Sequence, residues 1–226
     1  MPQLNYWVPL AFHAPSYLYD IPFGTAERKP KHMDLPGNSF IAAMRGSRAK
    51  AGMPTAMLIS GAGHGFRGVD NAIALTLIRS SFDPDPHPEL GIHRMQFAIG
   101  VIDSSSPKYA YIRAAGNYAH PLMAYSAKGM PLPAASFMQI TQGEVAYSAL
   151  KQAEDCPNGD EWVIRLYEAD GNKAEVELTF FKPVEKAWLV DLHENPIEDG
   201  KVSVSGKTVK LTAEPFAITS VRVKFG

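Results

Sequence analysis

The sequence predicts an all-β protein, a large antiparallel β-sandwich, and three observations predict it. Hydrophobic residues alternate with polar ones at a period of two through the C-terminal third. Eighteen prolines and 18 glycines are spread along the whole chain and cut it into short pieces. No segment reads as an amphipathic helix of three turns or more. A period of two buries one face of a strand and leaves the other wet, which is the pattern of antiparallel sheets.

Each predicted element follows from that pattern. Ile73, Leu75 and Leu77 alternate within VDNAIALTLIRSS, and Met95, Phe97, Ile99 and Val101 alternate after it. Between them lies SSFDPDPHPELGIH, a loop, because proline cannot donate to a ladder or sit inside a long helix. Residues 126–136 are the best candidate for a long connection. Trp162, Ile164 and Leu166 alternate with Val163, Arg165 and Tyr167; Val176, Leu178 and Phe180 alternate with charged or hydroxyl residues. Val202 and Val204 lead through Ser205-Gly206-Lys207 to Val209 and Leu211. Val221, Val223 and Phe225 form a last strand, with Ser220, Arg222 and Lys224 on its wet face. Asp170-Gly171 and Asp199-Gly200 are turn dipeptides.

Composition removes several function classes. Lys plus Arg is 22 against 23 Asp plus Glu, a net charge of −1, so no electrostatic footprint for nucleic acid or an anionic membrane exists. No apolar run approaches the roughly 20 residues of a membrane helix, and the N-terminal stretch lacks the pattern of a signal peptide. Cys156 is the sole cysteine, which excludes an internal disulfide and a cysteine-based zinc knuckle. A cytoplasmic location is the expectation.

Several motifs look like chemistry and have plainer readings. Gly63, Gly65 and Gly68 spell GxGxxG, with Asp83 further on. A dinucleotide site needs a helix to open at the last glycine, and a strand-like run follows instead. The plainer reading is a connection between two antiparallel strands, its glycines supplying positive φ. His32 and Asp34 have metal-ligand spacing, but the surrounding Pro and Gly read as a solvated loop. Asp191 and His193 share one face of an expected strand as an ordinary surface pair. Asp83, Asp85 and Glu89 crowd one loop with His87 and His93. Paired carboxylates can do glycosidic acid/base work, and Asp85, Glu89 or His93 would carry it in a self-sufficient enzyme. Turn chemistry at Asp85-Pro86 is the alternative.

The order of segments is more informative than any one motif. Tyr17 to Gly24, then Glu27-Arg28, resembles the D-x-P-[YF]-G…ER opening of the C-terminal β region of family 38 glycoside hydrolases, the α-mannosidases. Leu75 to Ser80, with Pro84-Asp85-Pro86, Glu89, Gly91 and His93, is similar to that family's LSLLRS…PDP stretch, with Glu89 replacing the usual Asp. Asn117 and His120-Pro121-Leu122 resemble its F-N-x-P-L step. Ala149 to Asp155, then Ile164 to Glu168, resemble ALKKAEDG…IRLYE. Ala213 to Ser220 resembles L-x-P-F-E-I-x-T, with Ala217 in place of Glu. The resemblance runs in order from about residue 17 to the end.

The resemblance implies a galactose-mutarotase-like super-sandwich spanning 1–226, as one domain or two packed subdomains of about 1–135 and 136–226. It implies a role in hydrolysis of terminal α-mannosides, in which this region supports and lines the sugar site of an N-terminal catalytic domain of the same polypeptide. That domain would hold the nucleophilic Asp and a zinc ion, so this chain carries no catalytic residue and no metal site and is inactive alone. A glycine-rich loop of the β region approaches the sugar in this family. Here that loop is Gly61 to Gly68, with His64 and Arg67 as hydroxyl-binding side chains. Arg79 is a third candidate, since a guanidinium grips two oxygens; its other reading is an ion pair with Asp83 or Asp85. Tyr6, Trp7, Tyr17 and Tyr19 would stack on sugars or line the interdomain interface. An independent carbohydrate-binding module is the alternative function. A homo-oligomer is compatible with the family; nucleic acid and membrane are not expected partners.

Overall fold

In the computed structural model, residues 3–80, 83, 90–124, 126, 135–156 and 159–226 are described. The chain divides into two units, Met1–Leu122 and Met123–Gly226. No described helix is long and apolar enough to cross a membrane.

The first unit contains strands β1 (Gln3–Pro9), β2 (Ser16–Ile21), β3 (Gly24–Arg28), β4 (Leu35–Pro36), β5 (Phe40–Met44), β6 (Pro54–Ser60), β7 (Gly65–Val69), β8 (Ala72–Arg79) and β9 (Phe97–Asp103). They form a five-stranded sheet, β3-β2-β5-β6-β9, and a four-stranded sheet, β1-β8-β7-β4. Tyr17, Tyr19, Ile41 and Leu58 of the larger sheet pack on Phe66, Ile73 and Leu75 of the smaller one. The opposite face of the larger sheet is also covered, by α1 (Lys108–Ala119). Tyr111 and Ala115 of α1 join Leu18, Phe40, Ala42, Met57 and Ile59 in a second cluster. Burial on both faces explains why β5 (FIAAM) and the second half of β6 read as continuous apolar runs rather than alternating ones.

Helix α1, of 12 residues, corrects the expectation that no helix reaches three turns. Its sequence, KYAYIRAAGNYA, has little apolar contrast, and only Tyr111 and Ala115 are buried, one turn apart. Packing on a sheet decides it, as it does for most protein helices. The entry is set by Asp103, whose carboxylate accepts the Ser105 N–H at 2.8 Å, and by Pro107, whose φ of −64° suits a helix start.

The glycine-rich segment also differs from expectation. Strands β6 and β7 belong to different sheets, so the segment is a crossover and not a hairpin. None of Gly63, Gly65 and Gly68 has positive φ. They are needed for close approach: a Cβ on Gly65 would lie 3.1 Å from Thr76 Cβ, and one on Gly68 would lie 2.2 Å from the Tyr17 ring.

The second unit contains β10 (Met138–Gln142), β11 (Ala146–Gln152), β12 (Glu161–Tyr167), β13 (Ala174–Phe180), β14 (Val184–Val190), β15 (Val202–Ser205), β16 (Thr208–Ala213) and β17 (Ile218–Phe225). These make two antiparallel sheets, β10-β13-β16-β15 and β11-β12-β17-β14. The predicted inward residues meet between them: Ile164, Leu166, Val221, Val223 and Phe225 against Val176, Leu178, Phe180, Val209 and Leu211. Ser205 pairs Thr208, so Gly206-Lys207 is a two-residue hairpin turn, with Gly206 at φ +59°. All four sheets are antiparallel, and the protein is an all-β sandwich protein.

Beside Asp170-Gly171, Glu168 is fully buried at 1% exposure. Its carboxylate accepts backbone N–H bonds from Asp170 (2.6 Å), Gly171 (2.8 Å) and Phe216 (3.0 Å). Burial alone would raise its pKa, but the N–H groups of Phe216, Asp170, Gly171 and Asn172 outweigh burial and hold it below its ordinary 4.5.

Two outcomes test these packing arguments. Gly68→Ala should lower stability by about 1–3 kcal/mol through overpacking against Tyr17, read as a lower urea midpoint. Glu168→Gln should cost about 2 kcal/mol at neutral pH. Because the folded carboxyl is more acidic than the unfolded one, its contribution is complete above about pH 4.5 and is lost as pH falls through the folded value. The gap in urea midpoint between wild type and Glu168→Gln should therefore be constant at neutral pH and close on acidification below about 4.5.

Candidate functional site

The four-stranded sheet of the first unit presents a polar outer face. Directly paired residues of antiparallel strands project to the same side. Trp7 pairs Ala74, which also pairs Arg67, so Trp7 and Arg67 share that face. Leu4 pairs Ile78 while Asn5 pairs Thr76, so Leu77 is an extra residue, a β-bulge. The bulge restores Arg79, paired with Gln3, to the side that carries Asn5 and Trp7. Without it, strict alternation would send Arg79 inward with Leu75.

Arg67 is held firmly. Its Nε and a terminal N–H donate to one oxygen of Asp34 at 2.9 and 2.8 Å, and both side chains are largely buried. Gln3 donates to the other oxygen of Asp34 and, at 3.1 Å, to Thr76 Oγ1. The Arg67 guanidinium lies 5.7 Å from the Trp7 ring, a cation–π distance. Trp7 itself stays 44% exposed. Asp34 is therefore the partner that the sequence reading missed. It was legible only as part of His32-x-Asp34 and read as a solvated loop; His32 is indeed exposed, but Asp34 is the anchor of Arg67.

His64 precedes β7 in a braced loop. Ser60 Oγ accepts the Gly63 N–H at 2.8 Å, and Gly37 N–H donates to the His64 carbonyl at 3.0 Å. His64 Nδ1 is 2.9 Å from the Asn38 carbonyl, so Nδ1 donates and the exposed ring presents Nε2 outward. Phe66 pairs Leu75, which carries His64 to the end of the sheet where β8 finishes at Arg79. Arg67 and Arg79 thus belong to one sheet, and the loop that carries His64 enters it at the end where Arg79 lies. Arg79 is exposed and makes no ion pair with Asp83; Asp85 lies outside the described residues.

Other candidates separate. Asp83 and His93 are exposed, while Asp85, His87 and Glu89 lie outside the described residues, as does most of the expected connection at 126–136. Tyr17 and Tyr19 are core residues at 0% and 1% exposure, because the sheet pairing turns both toward Phe66 and Leu75; they cannot stack on a sugar. Asp191 and His193 do not share a strand face. β14 ends at Val190, and Asp191 caps the turn, accepting N–H bonds from His193 (2.8 Å) and Asn195 (2.9 Å).

Among the described residues, Cys156, Asp160 and Glu161 bring three ligand-type atoms within 4.8 Å of one another. They do not fit the His/Asp zinc set that the family resemblance implies. The thiol donates to Asp160 at 3.1 Å, and Glu161 is ion-paired to Arg222.

The two-sheet β-sandwich formed by β10 to β17, with the β12 and β17 ends tied by the Glu168 carboxylate, has a counterpart among known families. Residues 144–221 match the glycosyl hydrolases family 38 C-terminal beta sandwich domain. The chain belongs to that family, in the C-terminal β region. Two curated relatives narrow the comparison. Alpha-mannosidase 2C1 of Mus musculus is 33% identical over 153 residues, covering 67% of this chain and 15% of the mouse protein. Alpha-mannosidase 2C1 of Homo sapiens is 32% identical over 151 residues, covering 66% of this chain and 14% of the human one. The chain therefore spans a small fraction of the length of the curated relatives it matches.

The Asp34–Arg67 pair is testable by a double-mutant cycle. Asp34→Asn and Arg67→Gln should each lower stability by about 1–3 kcal/mol, since each leaves a half-buried partner uncompensated. The double variant should lose less than the sum of the two, read from urea midpoints.

Proposed function

We propose that this chain is the C-terminal β-sandwich part of an enzyme hydrolysing terminal α-mannosides. It acts as a scaffold that lines the sugar site of a catalytic domain in the same polypeptide. The observation that carries the reading is the family match at 144–221, together with alpha-mannosidase relatives aligned over two thirds of the chain. An independent carbohydrate-binding module is not favoured by those relatives.

Chemically, the chain offers binding and orientation, not bond cleavage. His64 Nε2 and the Arg79 guanidinium are exposed groups at one end of a rigid sheet, suited to hold sugar hydroxyls. Arg67 is committed to Asp34, so it positions the Trp7 edge of the face more than it grips a ligand. The exposed indole of Trp7 offers carbon surface for a pyranose or a neighbouring domain. The zinc and the nucleophilic carboxylate belong, in this reading, to the catalytic domain. A single thiol and no disulfide accord with a reducing, cytoplasmic setting.

Purified chain supplied with zinc should show no turnover of an aryl α-mannoside. In an active enzyme containing this region, His64→Ala and Arg79→Ala should raise KM about five- to tenfold while leaving thermal stability unchanged. Zinc-dependent turnover by the chain alone would overturn the scaffold reading.

A further inference from the structure

Sheet β11-β12-β17-β14 of the second unit has an outer face that the alternation assigns to water, yet Arg222 on it is only 8% exposed. Trp188, its directly paired neighbour on β14, lies 5.5 Å from the guanidinium. Asp155 and Glu161 take its N–H groups at 2.7 and 2.6 Å. Beside it, the buried Glu194 carboxylate accepts from Lys151 and from the Glu154 N–H at 2.9 Å. These pairs draw the turns at 153–156 and 191–196 together over the sheet. Between the turns opens a cleft of about 360 Å³, whose walls include Glu154, Asp155, Trp188, His193, Asn195 and Arg222. That volume is at the small end of the roughly 300–1,000 Å³ that ligand sites span.

The chemistry of the walls selects the ligand. Asp155 is bound to Arg222 and Glu194 to Lys151, so Glu154, 89% exposed at its side chain, is the one carboxylate whose closest cation stands as far off as 4.0 Å. One such carboxylate does not make a divalent-cation site, which takes six or more oxygen ligands for calcium. An anion finds little to hold it, because Arg222 on the wall is already bound by Asp155 and Glu161, and Lys151 by Glu194. A cationic ligand gains little at the indole, because Lys186 and Arg222 already lie 5.0 and 5.5 Å from it. A neutral ring bearing several hydroxyls fits all three constraints. The hydroxyls of such a ring would donate to Glu154 and Asp155 and exchange hydrogen bonds with His193 and Asn195, and its C–H surface would rest on the Trp188 edge and Pro196, all of which line the cleft.

We propose that this cleft binds one neutral pyranose ring. The site is accessory, lies on a different unit from His64 and Arg79, and does not rest on their assignment.

The test is a titration of the full chain with methyl α-mannopyranoside, then methyl α-glucopyranoside, followed by 1H–15N correlation spectra. The amides of Glu154, Asp155, His193 and Asn195 and the Trp188 indole N–H should shift saturably at millimolar sugar. Glu154→Ala, at an exposed position, should weaken binding about fivefold or more without changing the melting temperature, and His193→Ala should act in the same direction. His64→Ala should leave these shifts intact, which separates this site from the sugar role proposed for the first unit. Absence of saturable shifts with either sugar, equal response to sodium glucuronate or calcium chloride, or unchanged affinity in both cleft variants would overturn the proposal.

Discussion

The second unit depends on one buried carboxylate. Glu168 follows β12, and Phe216 precedes β17, the strand beside it in the sheet. By accepting N–H bonds from 170, 171 and 216, Glu168 ties both turns to one point. Each of these hydrogen bonds is part-buried, and backbone N–H groups drawn away from water are costly to leave unpaired. The latch also forces unusual backbone. Phe216 sits at φ +55°, and its ring lies where a Cβ on Gly171 would approach within 2.5 Å. Gly171 at φ +83° is the residue that both the turn and the ring can accept. With the β12–β17 pairing fixed at that end, Val221, Val223 and Phe225 point into the core, and Arg222 points outward beneath Trp188.

Two of the segments that carry the family resemblance are segments of this latch. Glu168 closes the stretch Ile164 to Glu168, and Phe216 lies in the stretch Ala213 to Ser220. Within those two stretches Glu168 and Phe216 end two strands through one hydrogen bond. A family match over 144–221 therefore stands apart from the sugar role proposed for His64 and Arg79, which rests on the geometry of the first unit.

That first unit is organised by close approach. Gly68 admits the Tyr17 ring, Gly65 admits Thr76, and the larger sheet is covered on both faces. Such packing leaves the outer face of the smaller sheet as the place where polar groups collect. There Asp34, Gln3 and Thr76 fix Arg67 next to an exposed Trp7. A rigid sheet face on which Arg67, Asp34, Gln3 and Thr76 are already paired is suited to positioning a ligand or a neighbouring domain, because little ordering of those side chains is left to do on contact.

The sequence by itself determined the fold class and the inward faces of the C-terminal strands, because a strand's period of two is a local property that needs no partner to be visible. It determined the family through short segments whose order survives in the text of the chain. Tertiary structure alone decided the rest. Helix α1 exists because a sheet covers Tyr111 and Ala115, and its own twelve residues carry too little contrast to announce it. Arg79 faces outward because of a bulge at Leu77, set by pairing with β1 some seventy residues away. Arg67 has Asp34, and Arg222 has Trp188, Asp155 and Glu161, through contacts between distant segments that no spacing rule encodes. Local periodicity is written residue by residue; which charges meet depends on how strands from opposite ends of a unit are brought side by side.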